Sequence, residues 1–96
     1  MKVARKKPRA PWELVEIENT LEALQAEVGG YIETVTFTSD TCLIVNEEGI
    51  INDLPFNLNF AGLQLFGTVL WVGVNEEDGE FCDVPLTDKD LKHLPD

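Results

Sequence analysis

The sequence predicts an α+β domain. Its expected parts are a small, mostly antiparallel sheet of about five to six strands, one main helix over about 20–28 and a short C-terminal helix over about 87–94. Three observations carry this prediction. Hydrophobic and charged contents of 44% and 26% are those of ordinary globular chains, which sets wholesale disorder aside. Alternating, β-branched stretches recur along the chain and are separated by turn residues. One segment, 19–30, combines a capping pattern, a helical apolar stripe and a double-glycine stop. At 96 residues the chain is a single domain, 1–96, that buries roughly 60–65% of its unfolded surface.

Taken in order, residues 2–7 form a strand, and Pro8 to Pro11 a turn. Trp12–Glu18, with Trp12, Leu14 and Ile17 apolar, is a second strand pairing back on the first. Asn19-Thr-Leu-Glu22 has capping-box spacing, with Asn19 accepting from the first-turn amides and Glu22 reaching back. Leu21, Leu24 and Val28 then make one apolar stripe, and Gly29-Gly30 supplies the positive φ at which a helix stops. Tyr31–Thr38 alternates, with Tyr31, Glu33, Val35 and Phe37 on one face and Ile32, Thr34, Thr36 and Thr38 on the other, as a strand does. Ser39-Asp40 turns the chain into a returning strand, Thr41–Asn46. Asn46-Glu-Glu-Gly49 is a further turn, with Gly49 in the left-handed position.

Residues 50–66 sustain neither period. Pro55 and the asparagines at 52, 57 and 59 favour irregular backbone, while the apolar content says that the segment is packed. Gly67–Val74, nearly all apolar, is the central strand. An acidic turn over 75–80 leads to Phe81–Val84, which pairs back on it. Thr87-Asp-Lys-Asp90 caps the last helix, with Leu91 and Leu94 inward and Pro95 at its end.

Charge divides the chain. There are 18 acidic residues against 7 Lys and Arg, a net −11. Five of the basic residues (Lys2, Arg5, Lys6, Lys7, Arg9) lie in an arm spanning 1–9, leaving only Lys89 and Lys92 beyond it. The arm therefore carries +5, and the remainder 2 − 18 = −16. An acidic body disfavours direct nucleic-acid binding, because phosphates need cationic partners. It is also what solubility asks for.

Motifs for chemistry are sparse. Two cysteines (Cys42, Cys82) and one histidine (His93) fall short of the four ligands of a structural zinc site, so no metal is expected. Gly62-Leu-Gln-Leu-Phe-Gly67-Thr68 has the glycine spacing of a phosphate loop and lacks the Lys whose charge such a loop needs. Asn75–Glu80 is acidic without the alternating oxygens of a calcium loop and is expected to be a solvated hairpin turn. Ser39, Cys42, Cys82 and His93 give no nucleophile beside a base. No enzymatic activity and no cofactor are expected. No apolar run is long enough for a bilayer, and reduced thiols point to a cytoplasmic protein.

Two places invite binding. Trp12 follows the basic arm; exposed, it would suit a single-strand or phosphate contact, and buried, it would staple the hairpin. In 50–66, Phe56, Asn57 and Asn59 are candidates for display on a rigid sheet; the alternative is that this segment simply covers the sheet.

The chain also resembles a known family. Asn19-Thr-Leu-Glu-Ala-Leu-Gln and Val28-Gly-Gly-Tyr-Ile-Glu33 resemble the helix-to-strand core of domain of unknown function family 3846. The resemblance continues through Asn46–Gly49, Leu54-Pro-Phe-Asn57, Gly67–Gly73 and Leu86–Asp90, nearly the whole chain in the family's order. The family's Asn at the position of Asn57 is typically followed by Arg, where this chain has Leu58, and its opening strand is usually more apolar than Lys2–Lys7. The resemblance implies no activity, substrate or catalytic residue. It implies short proteins of bacteria, phages and mobile elements.

The expected function is thus a small, acidic, non-enzymatic binding protein with a protein partner, for which the resemblance implies the setting of a phage or mobile-element accessory protein. Two alternatives accompany it. The carboxylates could mimic DNA in the groove of a DNA-binding host protein, or the protein could sequester a small nucleotide-like ligand.

Overall fold

The computed structural model describes residues 1–94. It contains β1 (Lys2–Lys6), β2 (Glu13–Glu16), α1 (Leu21–Val28), β3 (Ile32–Thr38), β4 (Thr41–Asn46), β5 (Phe56–Phe60), β6 (Leu63–Phe66), β7 (Val69–Val74), β8 (Phe81–Cys82) and a 3₁₀ turn, Asp90–His93. The main sheet has six strands in the order β2-β1-β7-β4-β3, with β8 also on β7. Every pairing is antiparallel, so the predicted α+β class and strand number hold.

Alternation along the strands builds two cores, one on each face of the sheet. Val3, Cys42, Ile44, Leu70 and Val72 face α1 and meet its Leu24 and Val28. Ala4, Leu43, Val45, Val69 and Trp71 face the other way, toward Leu58, Phe60 and Leu65 of a second sheet formed by β5 and β6. The molecule is therefore three layers: helix, six-stranded sheet and a small hairpin. Leu86, Leu91 and Leu94 complete the hairpin side.

Several expectations need correction. The helix N-cap is Thr20, whose hydroxyl accepts from the Ala23 N–H at 3.1 Å. Asn19 is not the cap; its Nδ2 donates to the Phe81 carbonyl instead, tying the helix entry to β8. Leu21 is 54% exposed, so the buried stripe starts at Leu24. The second strand is shorter than 12–18, and the last helix is a single 3₁₀ turn in which the Asp90 carboxylate accepts from the Thr87 N–H at 2.7 Å. Pro95 lies outside the described residues.

The largest correction concerns 50–66. Its second half is a hairpin, closed by Ala61 and Gly62 at φ 49° and 84°. Two successive positive φ values make a two-residue turn whose twist matches the strands. Its period was unreadable because a β-bulge falls at Asn57, between the pairs Phe56↔Phe66 and Leu58↔Leu65. The bulge places Asn57 and Leu58 both inside, which breaks the alternation. The P-loop-like glycines are thus the two ends of β6: Gly62 in its entry turn and Gly67 just past its last residue.

Candidate functional site

The basic arm, which the sequence leaves free either to fold onto the body or to reach toward a partner, is an interior strand over Lys2–Lys6. Strand β1 lies between β2 and β7, and the α-amino group, Arg5 and Lys6 find partners inside the chain. The α-amino group donates to the Ile17 carbonyl at 2.7 Å and lies 3.4 Å from Glu16. The Arg5 guanidinium bridges Glu13 of β2 (3.3 Å) and Glu27 of α1 (3.0 Å), fastening helix to sheet edge. Lys6 points into the hairpin-side core, 4% exposed, and its ammonium donates to Asn57 Oδ1 at 2.8 Å. The turn that follows holds two exposed cations, Lys7 and Arg9.

Two of the four predicted binding residues lie on this interior. Asn57 is 7% exposed; besides accepting from Lys6, its Nδ2 donates to the carbonyls of Lys6 and Gly67, both at 2.7 Å. It closes the hairpin sheet onto β1 and offers no free group to a ligand. Trp12, 6% exposed, packs edge-on against Trp71 at 5.7 Å within an aromatic cluster that includes Phe37 and Phe60. It staples the opening hairpin to the core. Phe56, 45% exposed, and Asn59 are the two that reach the surface.

The surface feature next to Phe56 is the segment over 46–56. Between β4 and β5 the chain makes a compact turn. Asn46 Oδ1 accepts from the Glu48 N–H at 2.7 Å, while its Nδ2 donates to the Val28 carbonyl, fixing the turn to the end of α1. Backbone bonds from Asn52 to Glu48, Asp53 to Ile50 and Leu54 to Gly49 wind the rest. Gly49 does not take a positive φ; that role falls to Asp53, at φ 56°. At Gly49 the approach is close: a Cβ there would lie 3.2 Å from Phe66 Cβ and 3.3 Å from the Phe66 carbonyl oxygen. The turn thus seats directly on β6.

Seated in this way, the turn holds Ile50 and Ile51 outward at 74% and 79% exposure. They wall an open cleft of about 370 Å³ with Val45, Leu65 and Phe66. Phe56 extends the apolar area, its ring 5.9 Å from that of Phe66. The polar edge of the cleft is acidic: Glu33, Glu47 and Glu48 line it, and no Lys, Arg or His does. A hollow of about 280 Å³ on the far side of Glu48 adds exposed Tyr31 with Gln25 and Asn52. The sequence signal for this surface was an Ile-Ile pair following an acidic turn, where a solvated loop has polar residues.

Nucleophiles and metal ligands do not converge on the cleft. Cys42 is buried in β4, and burial pushes its thiol pKa up, away from thiolate chemistry. Cys82 is exposed on β8, and both cysteines are free thiols. Among the described residues no group of three or more His, Cys, Asp or Glu could hold a metal ion. Nor is any helix among them long and apolar enough to cross a membrane.

Comparison with known proteins gives a match over residues 1–94 to the model of one family, described as Domain of unknown function (DUF3846). No curated protein and no solved structure matches.

Proposed function

The chain belongs to this family of unknown function, and on that premise we propose that it is a non-enzymatic binding module whose partner is a protein. The carrying observation is the surface built by the 46–56 turn on β6. Isolated exposed apolar residues are ordinary, but a contiguous apolar patch with a polar rim marks an interaction site. Ile50, Ile51 and Phe56 are three of the seven exposed large apolar side chains, and all three lie around one cleft or next to it. The acidic rim selects a partner with basic residues around an apolar anchor. The implied company of phages and mobile elements favours an accessory role, acting on a host protein.

Affinity capture from the native host, run with wild-type and Ile50→Asp/Ile51→Asp baits, tests this reading. A partner retained by the first and lost by the second supports it; identical capture by both contradicts it. The DNA-mimic alternative draws on the same net charge. Part of that charge is engaged internally, however: Glu13 and Glu27 hold Arg5, Glu16 the α-amino group, and Asp83 accepts from the Lys2 N–H. Binding to a DNA-processing enzyme that collapses between about 0.05 and 0.5 M salt, and survives the Ile→Asp changes, would favour mimicry.

A further inference from the structure

We infer that the partner enters as an extended basic segment that adds a strand to the free edge of β3; this deepens the proposed binding function and rests on it. The sheet ends at β2 on one side and β3 on the other. Strand β2 is short, carries Glu13 and Glu16, and is preceded by Pro11, all features that blunt an edge. Strand β3 has seven residues, Ile32-Glu-Thr-Val-Thr-Phe-Thr38, with Glu33 its only charge and no proline; its one irregularity falls between Thr36 and Thr38, leaving Ile32–Thr36 in regular register. Such an edge is a ready template for another chain.

The hydrogen-bond phase can be worked out. Glu47 N donates to the Tyr31 carbonyl at 2.9 Å, and the β3–β4 register pairs Glu33 with Val45 and Val35 with Leu43. In an antiparallel ladder every second pair exchanges both bonds, so Tyr31, Glu33 and Val35 point their backbone groups at β4. The N–H and C=O groups of Ile32, Thr34 and Thr36 therefore point to the open edge, where no strand pairs with them among the described residues.

The edge and the cleft are continuous, because Glu33 belongs to both. A strand added at the usual spacing of about 4.8 Å would place alternate side chains beside Glu33, at the mouth of the cleft walled by Ile50 and Ile51. Its complement is apolar and cationic residues in alternation. The cations of this chain are elsewhere: Lys2, Arg5 and Lys6 lie on β1, exposed Lys7 and Arg9 lie in the turn after it, and Lys89 and Lys92 lie at the start of the last turn and within it. A net charge of −11 works against a second copy as the occupant.

The test uses a synthetic peptide of about ten residues alternating Lys with Val or Ile, titrated into the full chain at about 0.15 M salt. Expected are a saturable complex, slowed amide exchange at Ile32, Thr34 and Thr36, and at least about tenfold weaker binding to Thr34→Pro. Proline is tolerated where an edge N–H faces solvent. As a second route that leaves the protein untouched, the same peptide N-methylated on its pairing amides should bind at least about tenfold more weakly. Absence of binding up to about 1 mM peptide, or equal affinity of the Thr34→Pro protein and of the methylated peptide, overturns the inference. Unchanged binding to Thr34→Pro combined with loss in Ile50→Asp/Ile51→Asp overturns strand addition and leaves the cleft reading standing. A dimer of this chain that Thr34→Pro dissolves also overturns it, because the occupant is then a second copy.

Discussion

Residues 1–9 and residues 46–56 treat their side chains in opposite ways. The first segment holds five of the chain's seven Lys and Arg residues, yet its α-amino group, Arg5 and Lys6 are each bound within the chain. The second holds Ile50 and Ile51, which are apolar, and exposes both. Burying the Lys6 ammonium is costly unless its hydrogen bonds are met, and Asn57 is arranged to meet one. Exposing two isoleucines forgoes roughly 1.5–3 kcal/mol of burial each. The difference teaches where selection for folding and selection for binding are to be sought. Arg5 and Lys6, cations that would be available on a free arm, are engaged by the fold, while Ile50 and Ile51, apolar side chains of the kind that fill cores, stand in solvent.

The sharpest way to break this comparison is at Asn57. Asn57→Leu strands the Lys6 ammonium and the carbonyls of Lys6 and Gly67. The expected loss is about 3 kcal/mol, which lowers the thermal midpoint of a chain this size by roughly 12–24 °C. Adding Lys6→Met should recover part of it, because the uncompensated buried charge is gone; calorimetry of the single and double variants measures the coupling. If Asn57→Leu unfolds like wild type, the first segment is not held as described.

A smaller effect is expected at Arg5. Its ion pairs to Glu13 and Glu27 are partly exposed, so Arg5→Met should cost about 1 kcal/mol in denaturant unfolding, with the difference shrinking in high salt. Of similar size and opposite sign, Ala61→Gly relieves a non-glycine residue held at φ 49° and should stabilise the hairpin by roughly 0.5–1 kcal/mol. In the 46–56 turn, Ile50→Asp/Ile51→Asp should change stability by no more than about 0.5 kcal/mol, since both side chains are in solvent. Smallest is the last turn. Bonds from the Thr87 backbone and hydroxyl, helped by His93, hold the Asp90 pKa below the ordinary carboxylate value. A depressed acid contributes stability above its unfolded pKa and loses it as pH falls through the folded one. In an acid titration the Thr87 amide resonance should therefore shift at lower pH than an unperturbed Asp titrates; a shift at the ordinary Asp pH would contradict it.

Much of the fold was legible because the physics was local. The 31–46 hairpin announced itself by alternation, and Gly29 at φ 81° ends α1 where a positive φ was expected. What was hidden depended on contacts distant in sequence. The bulge at Asn57 exists because Asn57 bonds to Lys6, 51 residues away, and no window of sequence contains both. The cap moved from Asn19 to Thr20 because Asn19 is drawn to Phe81. For the candidate site, the sequence points to 50–66 and to Trp12; the structure buries Asn57 and Trp12 and leaves Phe56 and Asn59 at the surface. Asn57 looks like a displayed polar group until its partners are known, while Ile50 and Ile51 look like core until the turn is seen to point them out.

One measurement bears most directly on the contrast between an inward-facing basic strand and an outward-facing apolar turn. The protein partner captured from the host is titrated, by calorimetry, into wild type, Ile50→Asp/Ile51→Asp and Lys7→Gln/Arg9→Gln. The account predicts at least about tenfold weaker binding for the isoleucine variant and a change of less than about twofold for the exposed-cation variant. Full affinity in the isoleucine variant, with loss in the cation variant, would contradict it and place the binding role at the turn after β1.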